Sequence, residues 1–360
     1  MKYLPAILLA LFLTGCSALA PNEYLSVTPH EETVPQLSTA DVLTAENYLS
    51  LKNAIMKLVR TGQTDGVIRV TNYDGDVEAD LAEAAYEVCK LDPLGAYAVD
   101  YMTHSCTRIV SYYELRINMT FRRTPQEISQ IVPASTQTQL KSQLKSAIDR
   151  SAERMTLRLT SYRDQAEDIP QLVADHCRAN PGTVMEIPSL SVQVYPDSGN
   201  VRIMEINFHY TNTPEQLRQK QEAVQESLQA AAEYIRYRDT DQEKAQLLYT
   251  YLTQRFTYTE GSSATPLYDA LCAGVADPKA LAQAWELICE LAGVDCYTVA
   301  GLRNGEPCYW NILSADGCYR HLDLTRCVLE YGVPVFLPDW DMDTYYWDTE
   351  LYPACTNPTS

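Results

Sequence analysis

Positive charge is scarce in this 360-residue chain: Lys and Arg number 28 against 47 Asp and Glu, for a formal net charge of −19. Phosphate backbones are held by Lys and Arg, so this balance excludes nucleic acid as a partner. The deficit is steepest from Val224 onward, where 20 carboxylates stand against 8 Lys and Arg. Histidine is rarer still, at 5 residues. His104, His176 and His209 have no sequence neighbour that would complete a ligand set, and no CxxC pair occurs, so neither a metal nor a cofactor is expected. After residue 13 no apolar run approaches the roughly 20 residues of a membrane-spanning helix. Phenylalanine is also sparse, 5 residues against 25 Tyr. Rings with a polar tip suit half-exposed strands and polymer-binding faces.

What is present begins with Lys2 and an apolar run over residues 4–13, followed by Leu13-Thr14-Gly15-Cys16. The run is too short to span a bilayer and reads as a signal peptide, residues 1–16. Its last tetrapeptide resembles the bacterial lipobox. That resemblance implies that Cys16 is diacylated, becomes the mature N-terminus and anchors the protein outside the cell membrane. Residues 17–43, rich in Pro, Ser, Thr and Glu and without sustained periodicity, are expected to be a flexible spacer. Outside the cytoplasm disulfides are permitted, and ten cysteines remain once Cys16 is set aside, an even count. Cys327 and Cys355 are separated by enough chain for the tail to fold back, and are expected to pair.

Residues 44–132 and 133–223 read as two copies of one unit. A shift of 89 residues lays Tyr73 on Tyr162, Ile117-Asn118 on Ile206-Asn207, Phe121 on Tyr210 and Thr124-Pro125 on Thr213-Pro214. Each copy shows an amphipathic helix (48–58; 140–155), a strand (67–73; 155–162), a second helix (77–89; 169–179) and two alternating strands. The expected order is therefore α-β-α-β-β, twice.

Residues 224–360 form the third part. Leu281, Ala284, Trp285, Ile288, Leu291 and Ala292 recur at helical spacing, and Gly293 stands where a left-handed C-cap belongs. Three strands follow, CYTVAGL, PCYWNIL and CYRHLDLT, separated by turns at Arg303-Asn304-Gly305 and Ala315-Asp316-Gly317. Helix followed by antiparallel meander, with YDAL at 268–271, AQAW at 282–285, LAGVDCYTVAG at 291–301, Trp310-Asn311 and His321-Leu322-Asp323, resembles the core of the transglutaminase-like family, within the papain-like cysteine-enzyme superfamily. The resemblance implies an α+β fold: a helix-plus-antiparallel-sheet core preceded by the two repeats.

The resemblance implies a Cys at the helix start, a His on the next strand but one and an Asp on the strand after that. A thiolate then faces an imidazole that a carboxylate holds in place. Here the Cys position is Pro278 and the His position is Cys308; only Asp323 keeps its residue type. The resemblance thus implies a degenerate triad, and a non-catalytic domain that binds a polypeptide or cell-wall polymer in the old active-site cleft. The alternative is an active thiol acyltransferase or peptidase with a rearranged site, in which Cys308, His321 and Asp323 meet across neighbouring strands. In the acidic tail, Trp340, Tyr345, Tyr346 and Trp347 are expected either to cover the sheet or to line a groove.

Overall fold

The structure, a computed structural model, describes residues 42–238 and 240–356. The signal peptide, Cys16 and the spacer up to residue 41 lie outside the described residues.

The first sheet contains β1 (Leu43–Ala45), β2 (Asp65–Val70), β3 (Val99–Ile109) and β4 (Tyr112–Phe121), in the order β1-β2-β4-β3. Between its strands run α1 (Tyr48–Thr61), α2 (Val77–Lys90) and α3 (Pro93–Ala98). After α4 (Pro125–Ser129) come β5 (Val132–Ala134), α5 (Gln137–Asp149), β6 (Arg154–Leu159), α6 (Gln165–Ala179), β7 (Ser189–Tyr195) and β8 (Arg202–His209). Their sheet has the order β5-β6-β8-β7. Both sheets open with a short parallel pair and continue antiparallel. Leu43 opposes Ile68, and Ile68 opposes Leu115; 89 residues later Val132 opposes Leu157, and Leu157 opposes Met204.

Three expected boundaries differ from the structure. The α-β-α-β-β order omits β1 and β5, three-residue strands too short to show alternation, and the division at 132/133 falls inside β5. The helix read over 140–155 stops at Asp149 because Ser151 turns left-handed (φ 52°) and its N–H closes on the Ile148 carbonyl at 2.9 Å. The division at 223/224 falls inside α7 (Pro214–Arg236), whose Leu217, Val224, Leu228 and Ile235 all enter the C-terminal core.

That core continues through α8 (Asp241–Arg255), β9 (Thr259–Glu260), α9 (Pro266–Tyr268), β10 (Val275–Ala276) and α10 (Pro278–Leu291). Then follow β11 (Cys296–Arg303), β12 (Glu306–Ala315), β13 (Cys318–Leu322), α11 (Leu324–Arg326) and β14 (Tyr345–Tyr346). The sheet runs β13-β12-β11-β14 and is antiparallel. Asn304 and Gly305 (φ 53° and 86°), and Asp316 and Gly317 (φ 52° and 92°), turn its two tight hairpins in the left-handed region that such turns demand. Gly293 (φ 70°) ends α10 where the sequence placed it.

Alternation along β12 divides the packing into two layers. Leu313, with Leu322 of β13, packs against Leu281, Trp285 and Ile288 of α10. Trp310 and Ile312, with Val299 of β11, pack against Met342, Tyr345 and Cys355 of the tail. Trp285 and Trp310 are both fully buried, one on each side, and each side chain removed from water contributes on the order of 2 kcal/mol. The molecule is thus α+β, with the last sheet sandwiched between a helix and its own C-terminal tail.

Candidate functional site: a cleft at the start of α10 and the buried groups beneath the tail

Asp277 is the N-cap of α10, its Oδ1 accepting the Ala280 N–H at 2.9 Å, and Pro278 is the first helical residue. Proline suits that position, since a first-turn N–H has no intrahelical partner to lose. Its ring supplies neither a nucleophile nor a donor. Pro278 lines a cleft of about 600 Å³. The segment after α6, including Val184 and Ile187, also lines it, as do Leu267, Lys279 and Tyr309. The Lys279 ammonium stands 5.7 Å from the centre of the Tyr309 ring. Arg178, Glu186 and Asp277 also reach the cleft, so apolar walls carry charges of both signs.

Cys308 is not among the residues lining the cleft. It shares the face of β12 that carries Trp310 and Ile312, packs against the tail-side cluster and sits opposite Gly301 of β11. Burial, and then the negative charge of Asp323, push its thiol up to about 11, with Arg303 opposing. A thiol in that state is mostly protonated at neutral pH and a poor nucleophile. Asp323 lies just past β13 and is satisfied by groups other than an imidazole. Its Oδ1 accepts the Arg326 N–H at 3.1 Å, capping α11, and its Oδ2 accepts the Tyr345 hydroxyl at 2.7 Å. The Arg303 guanidinium approaches the same oxygen at 3.8 Å.

His321 is 1% exposed and held at both ring nitrogens. An indole N–H can only donate. Trp310 Nε1 therefore donates to His321 Nδ1 at 3.0 Å, and the ring proton resides on Nε2, which donates to Asp339 Oδ1 at 2.8 Å. Burial holds the imidazole pKa below its ordinary 6.5 despite that carboxylate. The Trp347 ring closes over it edge-on, centroids 4.8 Å apart. The structure thus brings Cys308 under the influence of Asp323, but commits both nitrogens of His321 to Trp310 and the tail.

His321, Asp339 and Cys355 offer ligand atoms within 4.8 Å of one another. A metal on Nε2 would need the proton on Nδ1, where it would oppose the Trp310 N–H. The arrangement suits a Trp310–His321–Asp339 hydrogen-bonded relay better than a metal ion. Cys355 caps the relay: its N–H donates to Asp339 Oδ2 at 3.0 Å, and burial together with Asp339 pushes its thiol up to about 12.

The expected Cys327–Cys355 disulfide is not formed; both are free thiols. They belong to opposite layers. Cys327 is buried in the α10 cluster, where the Val335 N–H donates to its Sγ at 3.4 Å, and Cys355 is buried in the tail cluster. Of the aromatic tail residues, Tyr345 is buried and Trp347 packs on Trp310 and His321, whereas Trp340 and Tyr346 are exposed. Asp339 was not singled out in the sequence, and no local signal distinguishes it from the other acids of the tail.

No family model matches the chain, and no curated protein matches it. Among solved structures, a crystal structure of a TGase shares 12% identity over 56% of this chain and 60% of its own, at a TM-score of 0.27. A crystal structure of a protein from Parabacteroides distasonis, inferred to be a protease, shares 10% identity over 71% of this chain and 39% of its own, at a TM-score of 0.23. The chain spans less than two thirds of the length of either. Superpositions of that quality establish no shared fold.

Proposed function

We propose that this chain is a lipid-anchored extracytoplasmic protein whose C-terminal part is a non-catalytic transglutaminase-like domain, carried on a duplicated N-terminal unit, that binds a polypeptide or a cell-wall polymer. The observation that carries this reading is Pro278, a residue without nucleophilic atom or N–H, at the helix start that borders a cleft of about 600 Å³. The cleft is roomy enough for several residues of an extended chain and offers Tyr309, Ile187 and Leu267 as apolar walls. The equal 89-residue offset of strand pairings in the first two sheets supports a duplicated unit. A thiol enzyme built on Cys308, His321 and Asp323 would need an imidazole nitrogen free to face the sulfur, and both are otherwise engaged.

The test has two arms. Purified protein is expected to show no turnover with amine donors, glutaminyl peptides or small peptides, and Cys308 to react with a thiol probe no faster than a free cysteine. Binding to peptidoglycan fragments or to an unfolded polypeptide is expected to weaken in Ile187→Asp and Tyr309→Asp variants that keep the wild-type circular dichroism. Rapid Cys308 labelling that is lost in His321→Ala, or binding indifferent to both cleft variants, overturns the proposal.

A further inference from the structure

We infer that Cys289 and Cys296 are a redox pair, a dithiol that closes to an intrachain disulfide by exchange with small-molecule or protein disulfides. Four features bring the two residues together. Helix α10 ends through left-handed Gly293, and the Val294 N–H returns to the Cys289 carbonyl at 2.9 Å, so the chain doubles back over the last helical turn. Strand β11 then begins at Cys296, opposite Leu313, whose side chain lies in the same core cluster as Cys289. Cys289 is 1% exposed within that cluster, and Cys296, only half-buried, packs against it. The Cys289 thiol is the neighbouring ionisable group that acts most strongly on the Cys296 thiol, helping to hold its pKa up.

The exchange balances without a metal or cofactor. Cys296, the less buried residue of the two, gives up its thiol proton and attacks a reagent disulfide, forming a mixed disulfide and releasing one thiolate. Cys289 then loses its proton and attacks the Cys296 sulfur, expelling the second thiolate. Two electrons pass to the reagent and its two leaving thiolates take up the protons. Burial and the neighbouring thiol raise the Cys296 pKa well above its ordinary value, so the first step is slow near neutrality and quickens as pH rises. Such a pair acts as a static staple between α10 and the sheet, rather than as a fast shuttle.

Both cysteines fall in one tryptic peptide, residues 280–303, between Lys279 and Arg303. The reduced full chain is incubated with oxidised glutathione at mildly alkaline pH, then alkylated in denaturant and digested. The expected product is that peptide lighter by two hydrogens, without alkyl groups, taking up two of them once reduced. In Cys296→Ser the same peptide is expected to carry an alkylated Cys289 and no internal bond. Recovery of the wild-type peptide with both thiols alkylated, with two separate glutathione adducts, or linked to a different cysteine overturns the pairing. Near-UV circular dichroism of the oxidised sample establishes that the bond forms in the folded chain.

Discussion

At the scale of single residues, the C-terminal sheet is governed by polar groups that must be satisfied once buried. Asp323 illustrates this. Its side chain takes the Tyr345 hydroxyl and the Arg326 N–H, with Arg303 alongside. Tyr345→Phe removes one donor and leaves a largely buried carboxylate oxygen short of a partner, so a loss of about 2 kcal/mol in urea unfolding is expected. An unchanged midpoint would show that water replaces the hydroxyl. The buried thiols and His321 set the pH range of stability. The His321 pKa is depressed below 6.5, so the folded state favours the neutral ring; that contribution is present above 6.5 and is lost as pH falls below it. Cys327 and Cys355 are raised from 9.0 to about 11 and about 12, so their contribution is present below 9 and is lost as pH climbs through those values. Thermal melts across pH are expected to fall on both sides of a neutral plateau, with His321→Gln flattening the acidic limb.

At the scale of elements, β11 and β14 meet through the smallest residue available. A Cβ on Gly301 would stand 2.4 Å from the Tyr346 carbonyl oxygen and 2.6 Å from the Trp310 indole. Neither can move without opening the β11–β14 pairing or the tail core. Gly301→Ala is therefore expected to cost about 2 kcal/mol, within the range of overpacked cores, and to expose Trp347, read as a red-shifted tryptophan emission. Emission and stability at wild-type values would mean that β14 yields freely. The helix end of the site obeys a different rule. Asp277 and Pro278 are favourable at an N-cap and first turn whatever lies beside them.

At the scale of the whole molecule, the first two sheets are joined by one concentrated contact. Arg123 Nη2 meets Glu205 Oε1 at 2.9 Å, with side chains 17% and 3% exposed, and the Arg123 guanidinium stands 5.0 Å from the centre of the Tyr97 ring. Tyr97 in turn meets Tyr195 edge-on at 5.6 Å. Arg123→Ala leaves Glu205 buried without its cation and is expected to cost about 3 kcal/mol, whereas Arg123→Met with Glu205→Leu should recover much of that. Additive losses in this double-mutant cycle would mean that the pair does not couple the sheets. On the proposed anchoring, Cys16→Ser is expected to move the protein from the membrane to the soluble fraction, because two acyl chains hold stably and none does not. Retention in membranes would refute the lipid anchor.

The sequence by itself determined the elements whose signals are local. Helical spacing over 280–292 and Gly293 marked α10, and Asn304-Gly305 and Asp316-Gly317 marked the hairpins. The 89-residue shift that aligned Tyr73 with Tyr162 also aligns the strand registers of the first two sheets. The expectation that Pro278 and Cys308 occupy Cys and His positions rests on the resemblance alone, since only residue type at those positions is a property of the chain. Only the tertiary structure decided what those positions touch. That Cys327 and Cys355 lie in opposite layers, that His321 is bound by Trp310 and Asp339, and that Tyr345 serves Asp323 all depend on which face of β12 and β13 each residue takes and on where the tail crosses the sheet. Those contacts join residues up to 22 positions apart in sequence. Short-range periodicity carries no information at that separation; burial and the satisfaction of buried polar groups fix it only once the sheet has formed.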